Sequence, residues 1–268
     1  MVERKKSRQK YNWLTFTKQS DVRYKNARTQ KDGYSALKSH NILSSGDVEL
    51  RFIQDMIVAV GGKKFNKGKA LDVCCGAGHM SSCLVDMGMQ VVGFDLNKDA
   101  ISLATSNVKD ATFYVSDAVN LVADITTTGY DLILIREAHP FSRINDFDFQ
   151  KKILDQYFSI LNSGGVLVIA HANSGGRMPF PSIDFVLLAK WAEDNCYSFT
   201  GPFYMFLYKH LNLKSPNQFL IKAGSLLSLL LSKIFNQRWI QFVCIVKKMI
   251  ELQQFFYFFI FKDLYNVS

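Results

Sequence analysis

Ala70-Leu71-Asp72-Val73-Cys74-Cys75-Gly76-Ala77-Gly78-His79-Met80, running on to Val91-Val92-Gly93-Phe94-Asp95, decides how the rest of the chain is read. A short apolar run ends at Gly76-Ala77-Gly78, Met80, Leu84, Val85 and Met87 follow at helical spacing, and a second β-rich run stops at Asp95. Periodicity of this kind predicts strand, glycine turn, helix and strand. Glycines are wanted where the first strand turns into the helix, because a Cβ there would keep a bulky polar ligand away from the backbone. A carboxylate closing the second strand can accept hydrogen bonds from both hydroxyls of a ribose.

Two adenosine cofactors suit that chemistry, NAD and S-adenosylmethionine, and two further residues separate them. A dinucleotide fingerprint places Gly or Ala three residues after the second glycine, where this chain has Ser81. Asp72 lies inside the first strand, four positions before Gly76. A negative charge has no use beside a pyrophosphate, but it would attract the amino group of a methionine. The stretch resembles motif I of the class I S-adenosylmethionine-dependent methyltransferases, with Asp72, Gly76 and Gly78 in register and Cys74 standing where that pattern has its first glycine.

Outward from this stretch, residues 98–107 read as a helix and Thr112 to Val115 as a third strand ending at Ser116-Asp117-Ala118. Asp117 is a candidate partner for the exocyclic amine of adenine, and equally a candidate N-cap of the next helix. Gly129 to Ile135 is apolar enough for a central parallel strand buried on both faces. It delivers Arg136-Glu137-Ala138-His139-Pro140-Phe141 to the carboxyl edge of the sheet, where ligands of open α/β folds bind. Ile153, Leu154, Tyr157, Phe158 and Leu161 mark an amphipathic helix closed by Asn162-Ser163-Gly164-Gly165, and Val166 to His171 is a fifth strand. That helix, double glycine and strand also resemble the methyltransferase pattern, so the likeness covers about residues 45–175. The loop from Ala172 to Pro181 is a candidate lid or acceptor loop.

Earlier, Ser44-x-x-Asp47 has the form of a capping box ahead of Val48, Phe52, Ile53, Met56 and Ile57. Later, a helix through Phe185, Leu188 and Trp191 precedes a sixth strand from Tyr197 to Leu207 and a seventh from Trp239 to Val246. The expected fold is therefore α/β, a seven-stranded, mostly parallel, doubly wound sheet of the Rossmann-like methyltransferase kind. Residues 1–44 form a basic arm, 45–248 the methyltransferase domain with an apolar insertion at about 208–237, and 249–268 an aromatic tail.

The net charge of +9 is uneven: 10 basic against 2 acidic residues in 1–31, 14 against 19 in 32–200, and 8 against 2 in 201–268. Tyr11, Trp13, Phe16 and Tyr24 interleave the first basic run. Such a run could bind nucleic acid, but without an RNA-binding motif an arm folded over the cleft is preferred. The insertion and tail are apolar with a basic edge, which suits the protein's own sheet, a homodimer contact or, as the minority reading, an anionic membrane surface. Five cysteines show no metal-knuckle or disulfide spacing, so no metal is expected and a reducing cytoplasm is the simplest setting. No signal peptide is expected either, because Met1 to Lys6 is followed by Ser, Arg and Gln.

The resemblance implies an enzyme that moves the S-adenosylmethionine methyl group to a small-molecule, lipid-linked or glycan acceptor, at oxygen or nitrogen. It implies a cofactor site of Asp72, Cys74, Gly76, Gly78, Asp95, Leu96, Asp117, Ala118 and Arg136, with His139 as the candidate base. Ala138-His139-Pro140-Phe141 lacks the Asn/Asp-Pro-Pro-aromatic segment of nucleobase methyltransferases. The competing functions are an NAD-dependent oxidoreductase and a non-catalytic cofactor-fold protein tethered to RNA or membrane through its basic ends.

Overall fold

The computed structural model describes residues 52–58, 67–127, 129–142, 144, 146–173, 183–204, 223, 227 and 240–248. A helix at 52–58 (α1) precedes β1 (Lys69–Val73), α2 (His79–Asp86), β2 (Gln90–Asp95), α3 (Lys98–Asn107), β3 (Ala111–Val115) and α4 (Ala123–Thr126). The chain continues through β4 (Tyr130–Arg136), α5 (His139–Ser142), α6 (Phe147–Ser159), β5 (Leu161–Asn173), α7 (Phe185–Asp194), β6 (Ser198–Tyr204) and β7 (Ile240–Lys247). The seven strands form one sheet in the order β3-β2-β1-β4-β5-β7-β6. Every pair from β3 to β5 is parallel, and β7 runs antiparallel between β5 and β6.

Burial on both faces explains the apolar run of β4, where Leu132, Ile133, Leu134 and Ile135 are all buried. Alternate residues of one strand face opposite layers. Leu71, Val73, Ile133, Ile135, Leu167 and Ile169 pack with Ile153, Leu154, Tyr157 and Phe158 of α6 and Leu188, Trp191 and Ala192 of α7. Ala70, Leu132, Leu134, Val166 and Val168 pack on the other face with Phe52, Ile53, Met56 and Ile57 of α1 and Met80 and Leu84 of α2. The result is a helix-sheet-helix sandwich, with the polar ends of β1 to β4 gathered along one edge.

Local chemistry sets the helix starts. Asn97 Oδ1 accepts from the Ala100 amide at 2.8 Å, Asp146 Oδ1 from Phe149 at 3.1 Å, and Asp184 Oδ1 from Val186 at 2.8 Å, each supplying a cap for α3, α6 and α7. On α7, Trp191 donates Nε1–H to Asp155 at 3.2 Å and meets Phe158 edge-on at 4.9 Å between ring centroids, which locks α7 against α6.

The structure corrects one expected boundary. Asn162 to Gly165 was expected as a loop closing a helix, yet α6 stops at Ser159 and these residues already belong to the bulged start of β5. Gly164 takes φ 75°, and its register break lies between the Tyr130 and Leu132 pairings. Lys248 explains why the sheet wins. Its backbone pairs with Gly164 and Gly165 at 2.9 Å on both sides, while its ammonium donates to the carbonyls of Phe158 and Leu161 at 3.1 and 3.0 Å. A cation at those carbonyls satisfies the helix end that the glycines were expected to cap.

The basic arm, the capping box at Ser44, the candidate lid, most of the insertion and the aromatic tail lie outside the described residues. Among the described residues no helix is long and apolar enough to cross a membrane.

Gly93 in the middle of β2 marks how tightly the strands and side chains close. A Cβ there would lie 2.6 Å from the Phe113 ring and 3.2 Å from Cys75 Sγ. Gly93→Ala should cost about 1–3 kcal/mol, the scale of core overpacking, read as a lowered urea midpoint. An unchanged midpoint would contradict this close packing.

Candidate functional site

The carboxyl edge of β1 turns through three left-handed residues at alternate positions: Cys74 at φ 56°, Gly76 at φ 55° and Gly78 at φ 80°. They occupy the three glycine positions of the motif read from sequence, which gives the pattern a backbone cause. Cys74 adopts without glycine's freedom a conformation that costs an L-residue roughly 1–2 kcal/mol. Gly78 serves packing as well as conformation, because a Cβ on it would come within 3.1 Å of Ala104 Cβ on α3. The turn itself is closed by Cys75 N–H on Phe94 O at 2.9 Å and Gly78 N–H on Cys75 O at 3.0 Å.

Asp95 ends β2 beside this turn. Its Oδ2 accepts from the Gly76 amide at 3.0 Å and its Oδ1 from the Asn97 amide at 2.9 Å. Each oxygen is thus aimed by a backbone donor, and a carboxylate has about four lone-pair positions, so this fixing is compatible with gripping a ribose diol. Leu96, next along, is 41% exposed and offers an apolar surface at the same edge.

Asp72 is buried within β1, and Ser81 Oγ–H on α2 donates to its Oδ2 at 2.6 Å. Burial pushes its carboxyl up from an ordinary 3.8 to about 6; the Ser81 hydrogen bond and the positive charge of Arg136 hold the rise back, while Asp95 adds to it. The thiol of Cys74 lies among all three acids. Desolvation raises its pKa well above the usual thiol value, Asp95, Asp72 and Asp117 raise it further, and a backbone hydrogen bond from His139 opposes them. Cys74 and Cys75, whose thiol burial likewise pushes up, are therefore protonated packing residues.

At the end of β3, Asp117 Oδ1 accepts from the Val119 amide at 2.9 Å in a local turn. It does not cap the next helix, as the alternative reading had it, because α4 starts at Ala123 with Val122 as its N-cap. Ala118 is buried, and its carbonyl accepts from the hydroxyl of Tyr157 at 2.8 Å.

At the end of β4, Arg136 and Glu137 are half-buried, and Glu137 takes φ 51° while its amide donates to Ala170 O at 2.9 Å. His139, the first residue of α5, is buried at 9% exposure. Gln150 of α6 secures this corner by donating to Pro140 O at 2.9 Å and Ile144 O at 2.8 Å.

The fold thus brings Asp72, Cys74, Gly76, Gly78, Asp95, Leu96, Asp117, Ala118, Arg136 and His139 to one edge of the sheet. The hydrogen-bonding roles of three residues escaped the sequence reading: Ser81, Tyr157 and Gln150. Each sits on the buried face of a helix, where a polar side chain needs a partner. Ser81 and Gln150 were visible as polar residues on apolar helical stripes; Tyr157 read simply as core.

Comparison with known proteins bears on the fold and the family. A family described as a methyltransferase domain matches residues 64–205, just over half of the chain. A ubiquinone biosynthesis O-methyltransferase from Pelagibacter ubique is 25% identical over 143 residues, covering 52% of this chain and 57% of its own length. The chain therefore spans little more than half of that curated relative. Among solved structures, a magnesium protoporphyrin IX methyltransferase from Synechocystis PCC 6803 with bound SAM has a TM-score of 0.50 at 14% identity, covering 85% of this chain and 95% of its own. An N-methyltransferase from Bradyrhizobium japonicum WM9 has a TM-score of 0.52 at 14% identity, covering 77% and 99%. Both likenesses concern the fold.

The strain at Cys74 predicts an inverted preference between two small residues. Cys74→Gly should be more stable than Cys74→Ala by about 1 kcal/mol in chemical denaturation, because glycine alone accepts φ 56° without strain. Equal stabilities would show the strain to be absent.

Asp72 makes a second prediction. Its folded pKa exceeds the unfolded one, so the folded state holds the proton more tightly, and stability falls as pH rises from about 4 to about 6. Between pH 4 and 7 the wild type should lose about 3 kcal/mol relative to Asp72→Asn, followed by denaturant unfolding at each pH. A constant difference across that range would refute the buried acid's contribution.

Proposed function

The chain belongs to the methyltransferase-domain family, and from that membership we propose that it is a class I S-adenosylmethionine-dependent methyltransferase acting at an oxygen or nitrogen of a small-molecule, lipid-linked or glycan acceptor. The observation that carries the reading is the set of acids on three neighbouring parallel strands, Asp72 in β1, Asp95 at the end of β2 and Asp117 just after β3, around a turn of three left-handed residues. This set of acceptors fits the cofactor. Asp72 would face the amino group of its methionine part, Asp95 its ribose, and Leu96, Asp117 and Ala118 its adenine. Gly76 and Gly78 would admit it to the backbone beside Cys74, and Arg136 would oppose its carboxylate.

Bound there, S-adenosylmethionine supplies a methyl group on a sulfonium that is its own leaving group. No nucleophile on the protein is then required, and the chain's work is to exclude water and hold the acceptor in line. His139, whose residue type titrates near neutrality, is the proposed base for an acceptor hydroxyl or amine. Oxygen is the favoured acceptor atom, since the curated relative is an O-methyltransferase. An oxidoreductase using NAD is disfavoured by Ser81, which stands where a dinucleotide site has Gly or Ala and instead holds the Asp72 carboxyl. The location proposed remains the cytoplasm, with a peripheral membrane role as the minority reading.

Asp95→Ala tests the cofactor reading. It should weaken S-adenosylhomocysteine binding by about 1.5–3 kcal/mol in isothermal titration, the scale of charge-assisted hydrogen bonds. Unaltered affinity would reject the assignment. Mass-spectrometric screening of metabolites with methyl-labelled cofactor identifies the acceptor.

A further inference from the structure

The peptide between Ala118 and Val119 is held at both ends. Its carbonyl accepts from the Tyr157 hydroxyl at 2.8 Å, and its N–H donates to Asp117 Oδ1 at 2.9 Å. One peptide plane therefore joins a phenol buried at 0% exposure on α6 to the half-buried carboxylate after β3, across 39 residues of sequence. Bonds in such a chain polarise one another, so a donor at the carbonyl strengthens the N–H at the far end. The ring of Tyr157 packs in the core beneath β1 and β4 with Leu71, Val73 and Ile133. A phenylalanine would supply that packing equally well, which leaves the hydroxyl to be explained by the bond it makes.

We infer that Tyr157 is a positioning residue: its hydroxyl orients the Ala118–Val119 peptide, and through it the Asp117 carboxylate that recognises the exocyclic amine of adenine. The inference rests on the reading of Asp117 as an adenine partner. It extends that reading from the cleft edge to a side chain in the core that touches no ligand. A second consequence is that cofactor selectivity is wired to the packing of α6 on the sheet. Any variant that shifts α6 should change base discrimination before it changes ribose binding, because Asp95 takes its geometry from Gly76 and Asn97 instead.

The test compares binding of S-adenosylhomocysteine with that of the analogue whose purine lacks the 6-amino group, by isothermal titration to wild type, Tyr157→Phe, Asp117→Ala and the double variant. Wild type should prefer the adenine compound, and Tyr157→Phe should lower that preference by about three- to tenfold through weaker adenine binding, the scale of one hydrogen bond. In the Asp117→Ala background the same substitution should change neither affinity, because the carboxylate it positions is gone. Tyr157→Phe that leaves the preference at the wild-type ratio, or weakens both ligands equally, overturns the positioning role while Asp117 keeps its own. An Asp117→Ala variant that retains the full preference overturns both assignments together. Hydrogen exchange gives an independent readout without ligand: the Val119 amide should exchange faster in Tyr157→Phe, and protection equal to wild type would contradict the coupling.

Discussion

The hydrogen bond from the Gly76 amide to Asp95 Oδ2, 3.0 Å long, is the constraint on which the site depends. It can form only if the turn after β1 exposes an amide toward β2, which needs the left-handed residues at 74, 76 and 78. It also needs β2 to run parallel to β1 in the observed register, with Val73 beside Phe94, so that Asp95 arrives level with the turn. Sheet register, turn conformation and carboxylate placement are thus one problem with one solution. A slip of one residue would turn Asp95 to the other face of the sheet and break the bond.

Holding three acids near one turn is costly, and the structure distributes that cost differently at each. Asp95 and Asp117 stay half-buried and are aimed by backbone amides. Asp72 is buried outright and is kept there by Ser81 and by the charge of Arg136. Burial raises the pKa of such a carboxyl because its charged form loses hydration, and neither partner offsets that loss in full. On the proposed reading, an ammonium beside that group would lower its pKa again, so part of the cost of burial would return as affinity. Strain at Cys74 and Glu137 has the same location, the carboxyl ends of adjacent strands β1 and β4, which is where left-handed non-glycine residues most often accompany function.

Much of this was legible in the sequence because it rests on local patterns. The apolar run of β4, the helix at 98–107 and the acids at 72, 95 and 117 each follow from periodicity or from a residue type at a strand end. What could not be read was produced by partners distant in sequence. Lys248 lies 87 residues from Leu161, yet it decides that residues 161–165 join the sheet rather than form the loop that two glycines suggest. Tyr157 was legible as core but not as a donor to Ala118, since helical spacing reports which face is buried and not which hydroxyl finds a carbonyl. Cys74 was legible as a departure from glycine; its retention of glycine's backbone conformation was not.

The two halves of the edge are braced by different means, and this bears on what each can vary. Around β1 and β2 the Asp95 carboxylate is set by backbone amides of the turns themselves, so substitutions elsewhere leave it in place. In the segment after β4 side chains add to the bracing: Gln150 reaches from α6 to the carbonyls of Pro140 and Ile144, and Ser142 Oγ donates to Glu137 O at 3.2 Å. Side-chain braces can be replaced one at a time without rebuilding a strand or a turn. On the proposed reading, a fold divided in this way would keep a constant cofactor grip while the corner carrying Glu137 and His139 would be free to be refitted to different acceptors. The same division explains why the cofactor was the easier half to infer from residue types alone: a turn of left-handed residues with acids at neighbouring strand ends leaves a pattern in the sequence, whereas no common motif enforces the spacing of the side chains after β4.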